Sequence, residues 1–173
     1  NQIVHHADPK TSEVNEGNNI IINCNKSLVL NGGNEDNLIV WVSYDDKKAL
    51  ILIDKEQSGL SLIEYPTVDG QTCAEISFGD VNVSKDAILA IGDEADELFN
   101  EAINLATLCV SAESIGCMTA CYIKTIEYTK GRQQFGQPIS KFQVLQHRMV
   151  DMFMETEVCK SLLYKAMLEC DSN

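Results

Sequence analysis

The hydrophobic residues of this chain follow one pattern before Ile91 and another after it. Before Ile91, short runs rich in Ile, Val and Leu alternate with turn residues such as Asn31-Gly32-Gly33 and Asp69-Gly70. Runs of this kind predict β-strands joined by turns. The predicted strands are 20–22, 27–30, 38–42, 49–53, 60–63 and 74–78. Their spacing favours an antiparallel β meander or small barrel over residues 1–91.

Beyond Ile91 the apolar residues recur at every third or fourth position, which is the period of an α-helix. The apolar stripe of the first predicted helix is Ala102, Leu105, Cys109, Ala112, Gly116, Thr119, Ile123 and Ile126. A second helix, from Ser140 to about Glu169, has a stripe of Leu145, Met149, Met152, Val158 and Leu162. The short connection predicts a long antiparallel helical hairpin over residues 92–173, whose stripes need further partners. The predicted fold class is α+β.

Length and charge restrict the possible partners. A chain of 173 residues that is 45% hydrophobic can form one large or two small domains with a real core. Its 26 acidic and 13 basic residues give a net charge of -13. An acidic surface repels nucleic acid and anionic membranes at long range, so neither is expected to be the main partner. An anionic ligand would have to be held by local donors.

The seven cysteines indicate a reduced chain. They are scattered through apolar contexts, without the Cys-x-x-Cys pairs of a zinc site or the density of a secreted disulfide scaffold. No metal site is predicted. We find no signal-peptide pattern and no apolar run that reaches the length needed to span a bilayer. These features predict a cytoplasmic protein without a membrane span.

The loop between the predicted helices carries the most specific chemistry. Ser140 could cap the second helix together with Gln143, and Arg132 brings a fixed charge and a planar donor fork to the same turn. A helix start with such donors suits a phosphate. A plainer interpretation is a hydrophobic plug for the hairpin, formed by Phe135, Pro138, Ile139 and Phe142.

The same segment resembles a signature of acyl-CoA dehydrogenases, R-x-x-F-G-x-P-I-x-x-F-Q-x-x-x-H-x-x-x-D-M. It matches from Arg132 through Met152 with the spacing intact. Residues 23–33 followed by 37–40 are similar to a run in the family's middle β domain, and residues 65–70 and 78–83 are similar to its later strands and the entry to its helical domain. The long match favours the phosphate interpretation over the plug. The chain looks closest to the small subunits of pimeloyl-CoA-type bacterial dehydrogenases.

The resemblance implies a cofactor, a substrate and partners. Members of the family use FAD to convert an acyl-CoA into a trans-2-enoyl-CoA and pass the electrons to electron-transferring flavoprotein. By carry-over, Arg132 meets the FAD pyrophosphate, Gln134 and Phe135 lie along the adenosine, and Gln143 hydrogen-bonds the cofactor. In the family this loop reaches the flavin of a neighbouring subunit, so a homo- or hetero-oligomer is implied.

The catalytic base cannot be assigned from the sequence. In a minority of branches the base stands at the position matching Ala106, and the family arginine beside it matches Thr107, so this chain departs from both patterns. Glu113 is more simply a helix-surface or interface residue, and His147 a packing or surface residue. The resemblance begins inside the middle β domain and ends halfway through a four-helix bundle. We therefore expect a fragment that is inactive by itself.

Three hypotheses remain open at this stage. The first is an FAD-dependent acyl-CoA dehydrogenase, represented here by part of its chain. The second is a non-catalytic subunit that completes a partner's FAD site, which Ala106 and Thr107 favour. The third is an unrelated interaction module built from β-strands and a helical hairpin. The acyl-chain length, the oligomer size and the origin of the truncation cannot be predicted from these residues.

Overall fold

A computed structural model describes residues 12–16 and 19–170. The predicted α+β class is confirmed, with antiparallel sheets followed by a helical hairpin. The first seven strands are β1 (Ser12–Glu16), β2 (Asn19–Leu30), β3 (Asn37–Tyr44), β4 (Lys47–Asp54), β5 (Leu60–Pro66), β6 (Thr72–Ser84) and β7 (Ile88–Ile91). They are followed by α1 (Asp93–Gly131), β8 (Gln133–Gln134), β9 (Gln137–Pro138) and α2 (Gln143–Cys170). Two 3₁₀ turns, Lys85–Ala87 and Ile139–Lys141, precede β7 and α2.

The strands form two main antiparallel sheets, with the orders β1-β2-β6-β5 and β3-β4-β7. Alternate side chains of each strand point into a shared core, as the period of a strand requires. The core includes Ile20, Ile22, Val40, Val42, Ile51, Ile53, Ile76, Phe78 and Val81. Residues 20–22 and 27–30 are not separate strands, because β2 runs through the polar residues between them with two shifts of register.

The chain divides into two compact units, Asn1–Asn100 and Glu101–Asn173. The first turns of α1 belong to the first unit. There Ala95 is fully buried, the ring of Phe99 stacks on Trp41 at 4.4 Å, and Asp96 pairs with Lys48 at 3.3 Å. The predicted domain boundary, between residues 91 and 92, lies just before the start of α1 and stays a prediction.

The hairpin packs through a different stripe of α1 from the one predicted. The partly buried side includes Leu108, Ser111, Ile115, Met118 and Tyr122. Of the predicted stripe, Thr119 and Ile126 are partly buried, whereas Ala102, Leu105, Cys109, Ala112, Gly116 and Ile123 are exposed. The two stripes are offset by one residue, about 100° around the helix, and both have helical spacing. On α2, Leu145, Met149 and Met152 are partly buried as predicted, but Val158 and Leu162 are exposed. The predicted face of α1 is rich in small residues, whereas the face that is partly buried in the hairpin carries larger side chains.

The length and composition of α1 bear on the expectation that the chain has no membrane span. By length and composition alone, α1 could cross a bilayer. This corrects the expectation that no apolar stretch is long enough. It is weak evidence for a membrane, because the core helices of soluble proteins have the same composition.

Candidate functional site

The loop between α1 and α2 is a small β-hairpin. Its turn is Phe135-Gly136, and both residues have positive φ values, 53° and 75°. This is the signature of a type I′ turn, which matches the twist of a two-residue hairpin. The N–H of Arg132 donates to the carbonyl of Tyr128 at 2.8 Å, and the carbonyl of Arg132 accepts from the N–H of Ile139 at 2.9 Å. The backbone of Arg132 therefore joins the end of α1 to the base of the hairpin.

The start of α2 differs from the prediction. Ser140 lies in the turn Ile139–Lys141, and α2 begins at Gln143. The carbonyl of Phe142 accepts from the N–H groups of Leu145 and Gln146 at 3.0 and 3.1 Å. Gln143 thus occupies the first position of the helix and cannot be the third residue of a capping box. The predicted box of Ser140 and Gln143 is wrong, because the extra turn moves the helix start by three residues.

The structure places the four predicted cofactor-binding residues on this one segment. Arg132 directly follows α1, Gln134 lies on β8, Phe135 is at the tip of the hairpin, and Gln143 begins α2. All four are exposed, Phe135 by 90%. Their role in binding stays a prediction.

The plug interpretation holds for only part of the loop. Pro138, Ile139 and Phe142 are partly buried. Phe135 is not part of a plug, although its ring meets the edge of Phe142 at 6.1 Å. A large apolar side chain held in a left-handed turn and exposed to solvent is costly for the free chain, and such outliers often mark binding sites.

The loop is a basic segment in an acidic chain. Lys130, Arg132, Lys141 and Arg148 lie between Glu127 and Asp151, and no Asp or Glu stands between those two acids. In the described part of the chain, the N–H groups of Gln143 and Val144 make no backbone hydrogen bond. These donors and the dipole of α2 favour an anion at the helix start. These features are compatible with an anion at the helix start, and the binding of a phosphate stays a prediction.

Two positions at which the resemblance implies a base or an arginine in some branches hold Ala106 and Thr107. Ala106 and Thr107 are both exposed on α1. The hydroxyl of Thr107 donates to the carbonyl of Ile103 at 2.8 Å, so it is engaged with its own helix. Glu113 and His147 are exposed on helix surfaces. Among residues 12–16 and 19–170, no group of three or more His, Cys, Asp or Glu side chains could hold a metal ion.

Sequence reasoning missed a polar cluster in the β-sheet unit. The carboxylate of Glu75 accepts from the hydroxyl of Tyr65 at 3.0 Å and from the N–H of Leu28 at 3.4 Å. Hydrogen bonds from Ser27 and Tyr65 hold the pKa of Glu75 below its ordinary value. Desolvation, followed by the bond to Glu75, raises the pKa of Tyr65. These residues come from three different strands, so only the sheet register reveals the cluster.

Comparison with known proteins shows what the chain is similar to. Residues 97–173 match the family model "Acyl-CoA dehydrogenase, C-terminal domain". The chain is 26% identical over 160 residues to mitochondrial isovaleryl-CoA dehydrogenase of Arabidopsis thaliana, covering 88% of this chain and 39% of the relative. It is 28% identical over 159 residues to L-prolyl-[peptidyl-carrier protein] dehydrogenase of Serratia sp. (strain ATCC 39006), covering 87% and 41%.

A solved structure supports the same assignment. The structure described as "PigA with FAD and proline" superposes with a TM-score of 0.86 at 25% identity, covering 95% of this chain and 45% of that one. The predicted resemblance to acyl-CoA dehydrogenases is confirmed by the match of residues 97–173 to that family's C-terminal domain and by the likeness of the chain to these dehydrogenases. It spans about two fifths of the length of the curated relatives it matches. The narrower resemblance to pimeloyl-CoA-type small subunits stays a prediction.

Proposed function

We propose that this chain is part of an FAD-dependent acyl-CoA dehydrogenase, which converts an acyl-CoA thioester into a trans-2-enoyl-CoA. The observation that carries the proposal is the loop from Arg132 to Gln143, which matches the family motif and exposes all four predicted cofactor ligands. The relatives named as acyl-CoA and prolyl-carrier dehydrogenases support a dehydrogenation of this class.

The donors of the loop fit the FAD pyrophosphate. In this proposal Arg132 would hold the pyrophosphate through its guanidinium, and Gln143 would add a side-chain amide beside the N–H groups at the start of α2. Gln134 and Phe135, which are both exposed, would lie along the adenosine part. When bound, FAD would supply the acceptor for the hydride that leaves the β-carbon. Because the loop is open to solvent, we propose that it completes the site of a neighbouring subunit.

The base that removes the α-proton is not assigned to this chain. The reaction needs a carboxylate beside the α-carbon. Alanine at position 106 cannot take a proton, and the hydroxyl of Thr107 bonds to its own helix. These two positions favour the second candidate function, a non-catalytic subunit that completes a partner's FAD site. Under either function we propose a cytoplasmic oligomer that passes electrons to electron-transferring flavoprotein.

The nature of the thioester carrier is a further part of the proposal. CoA is the carrier named for the Arabidopsis relative, and a peptidyl-carrier protein is named for the Serratia relative. We propose CoA, with the carrier protein as the alternative. The similarity of residues 97–173 to the C-terminal domain of acyl-CoA dehydrogenases argues against an unrelated interaction module.

The test uses the complete protein, purified alone and with any partner subunit encoded beside it. The oxidised flavin spectrum is recorded before and after addition of a series of acyl-CoA thioesters, and enoyl-CoA is measured by mass spectrometry. Bound flavin that acyl-CoA reduces, with release of enoyl-CoA, supports the enzyme. Flavin that is retained only with a partner carrying the base supports the non-catalytic subunit. Absence of flavin from every preparation contradicts both.

A further inference from the structure

Strands β2 and β6 fall out of register beside Glu75. Lys26 pairs with Ile76 and Val29 pairs with Ala74, so Ser27 and Leu28 together stand opposite the single residue Glu75. This arrangement is a β-bulge. Leu28 has a φ of 57°, in the left-handed region that favours glycine. A leucine stays in this conformation only if its surroundings hold it there.

The side chain of Glu75 supplies that restraint. It accepts hydrogen bonds from the backbone N–H of Leu28 and from Ser27, the two residues of the bulge. A third bond comes from the hydroxyl of Tyr65 on the neighbouring strand β5, at 3.0 Å. The bulge takes away the backbone acceptor that the N–H of Leu28 would have in a regular ladder. The carboxylate of Glu75 accepts that hydrogen bond instead, and the bond from Tyr65 holds the carboxylate in place.

The bulge also forms the wall of a groove in the same unit. The groove is about 390 Å³ and lies between β2, β3 and β6. Its lining includes both bulge residues, Val29, Trp41 and Phe78. Across it, the ammonium of Lys26 donates to the carbonyl of Trp41 at 2.8 Å, which ties β2 to β3 just before the bulge. The conformation of residues 27 and 28 thus sets the shape of this wall.

We infer that Glu75 and Tyr65 form a latch that holds the Ser27–Leu28 bulge in its left-handed conformation and so fixes the wall of the groove. Glu75 is a positioning residue in this arrangement, because it acts on the groove only through the bulge. Without its carboxylate the N–H of Leu28 keeps only the neutral hydroxyl oxygen of Tyr65 as an acceptor, and the leucine relaxes towards an ordinary strand conformation. The inference does not depend on the proposed dehydrogenase function.

Residue-resolved amide hydrogen exchange in the intact protein tests the latch. In Glu75→Ala the N–H of Leu28 should exchange roughly tenfold faster, because it loses a charged acceptor. Glu75→Gln keeps an acceptor oxygen and should restore most of the protection. Tyr65→Phe removes only the hydroxyl and should give an intermediate rate. The amide of Ile51, in the centre of β4, reports global unfolding and should not change.

A matched control is Glu56→Gln, which removes an exposed carboxylate in the turn after β4 and should leave the exchange of Leu28 unchanged. If Glu75→Ala is too unstable to study, Tyr65→Phe decides the question. The latch is wrong if Leu28 in the folded Glu75→Ala or Tyr65→Phe protein exchanges as slowly as in the parent. It is also wrong if the amides of Leu28 and Ile51 accelerate by the same factor, since Glu75 would then support the whole sheet and not the bulge.

Discussion

The carbonyl of Arg132 accepts a hydrogen bond from the N–H of Ile139 at 2.9 Å, across the base of the hairpin between α1 and α2. This bond connects the residue after α1 to the turn that leads into α2. The family motif specifies the types of residue in this loop. The bond between Ile139 and Arg132 also requires a fixed number of residues between them. An insertion between Arg132 and Ile139 would separate the guanidinium from the helix start that offers the other donors.

Gln143→Ala is expected to weaken FAD binding by roughly fivefold in the complete protein. A neutral hydrogen bond is worth on the order of 1 kcal/mol, less than one made by a charged group. Because Gln143 is the first residue of α2 and takes no part in a capping box, stability should change little. Titration of the apoprotein and thermal unfolding measure the two effects. Gln133→Ala, an exposed glutamine on β8, is the matched control and should bind like the parent.

Phe135→Asn should separate the folding of the hairpin from its binding role. Asparagine accepts the left-handed conformation more readily than phenylalanine, so the apoprotein should be as stable as the parent or more stable by up to about 1 kcal/mol. FAD affinity should nevertheless fall, because the ring contact with the adenosine is lost. Unchanged affinity in a stabilised variant would show that the ring has no role in binding.

The carboxylate of Glu75 should make stability depend on pH in the acidic range. Its pKa is lowered in the folded state by hydrogen bonds from Ser27 and Tyr65, so its contribution is complete above the ordinary glutamate pKa. The contribution is lost as the pH falls through the lowered folded-state value. The difference in unfolding free energy between the parent and Glu75→Gln should therefore shrink on acidification. The pKa of Asp69 is also lowered, so this residue adds a pH dependence in the same direction. Introducing Asp69→Asn into both proteins removes that contribution from the comparison.

The hydrophobic pattern correctly predicted β-strands before Ile91 and helices after it, but not all strand bounds or the packed face of α1. Alternating apolar residues and glycine-rich turns were sufficient for an antiparallel β unit. They could not show that β2 runs through Asn23 and Asn25, because a bulge absorbs extra residues without any clear sequence signal. On α1, two neighbouring stripes have helical spacing, and only packing against α2 selects the one with Ile115 and Met118.

The candidate site was predictable for a different reason. Its residues are close in sequence, so the motif alone placed Arg132, Gln134, Phe135 and Gln143 in the segment between the end of α1 and the start of α2, and their role in binding stays a prediction. The Glu75 cluster joins residues 27, 65 and 75, and local patterns contain no information about such distant pairs. The helix start at Gln143 was also missed, because Ser140 is a good capping residue but is used inside a 3₁₀ turn.

The 173-residue chain expressed by itself is expected to retain little or no FAD and to show no dehydrogenase activity. Its proposed phosphate donors lie exposed on a single loop, and no base is assigned. Absorbance of the purified chain, compared with the complete protein, checks this expectation. Stoichiometric flavin carried through purification of the isolated chain would show that the site does not need further protein.

The most direct measurement of the central claim is a titration of the complete apoprotein with FAD, comparing the parent with Arg132→Ala and Arg132→Lys. If Arg132 pairs with the pyrophosphate, alanine should reduce affinity roughly ten- to a hundredfold, and lysine should give a smaller loss because it keeps the charge without the bidentate fork. Lys124→Ala, which removes an exposed positive charge from α1, should bind like the parent. If folded and assembled Arg132→Ala binds FAD as tightly as the parent, the phosphate role is wrong and the loop only closes the hairpin.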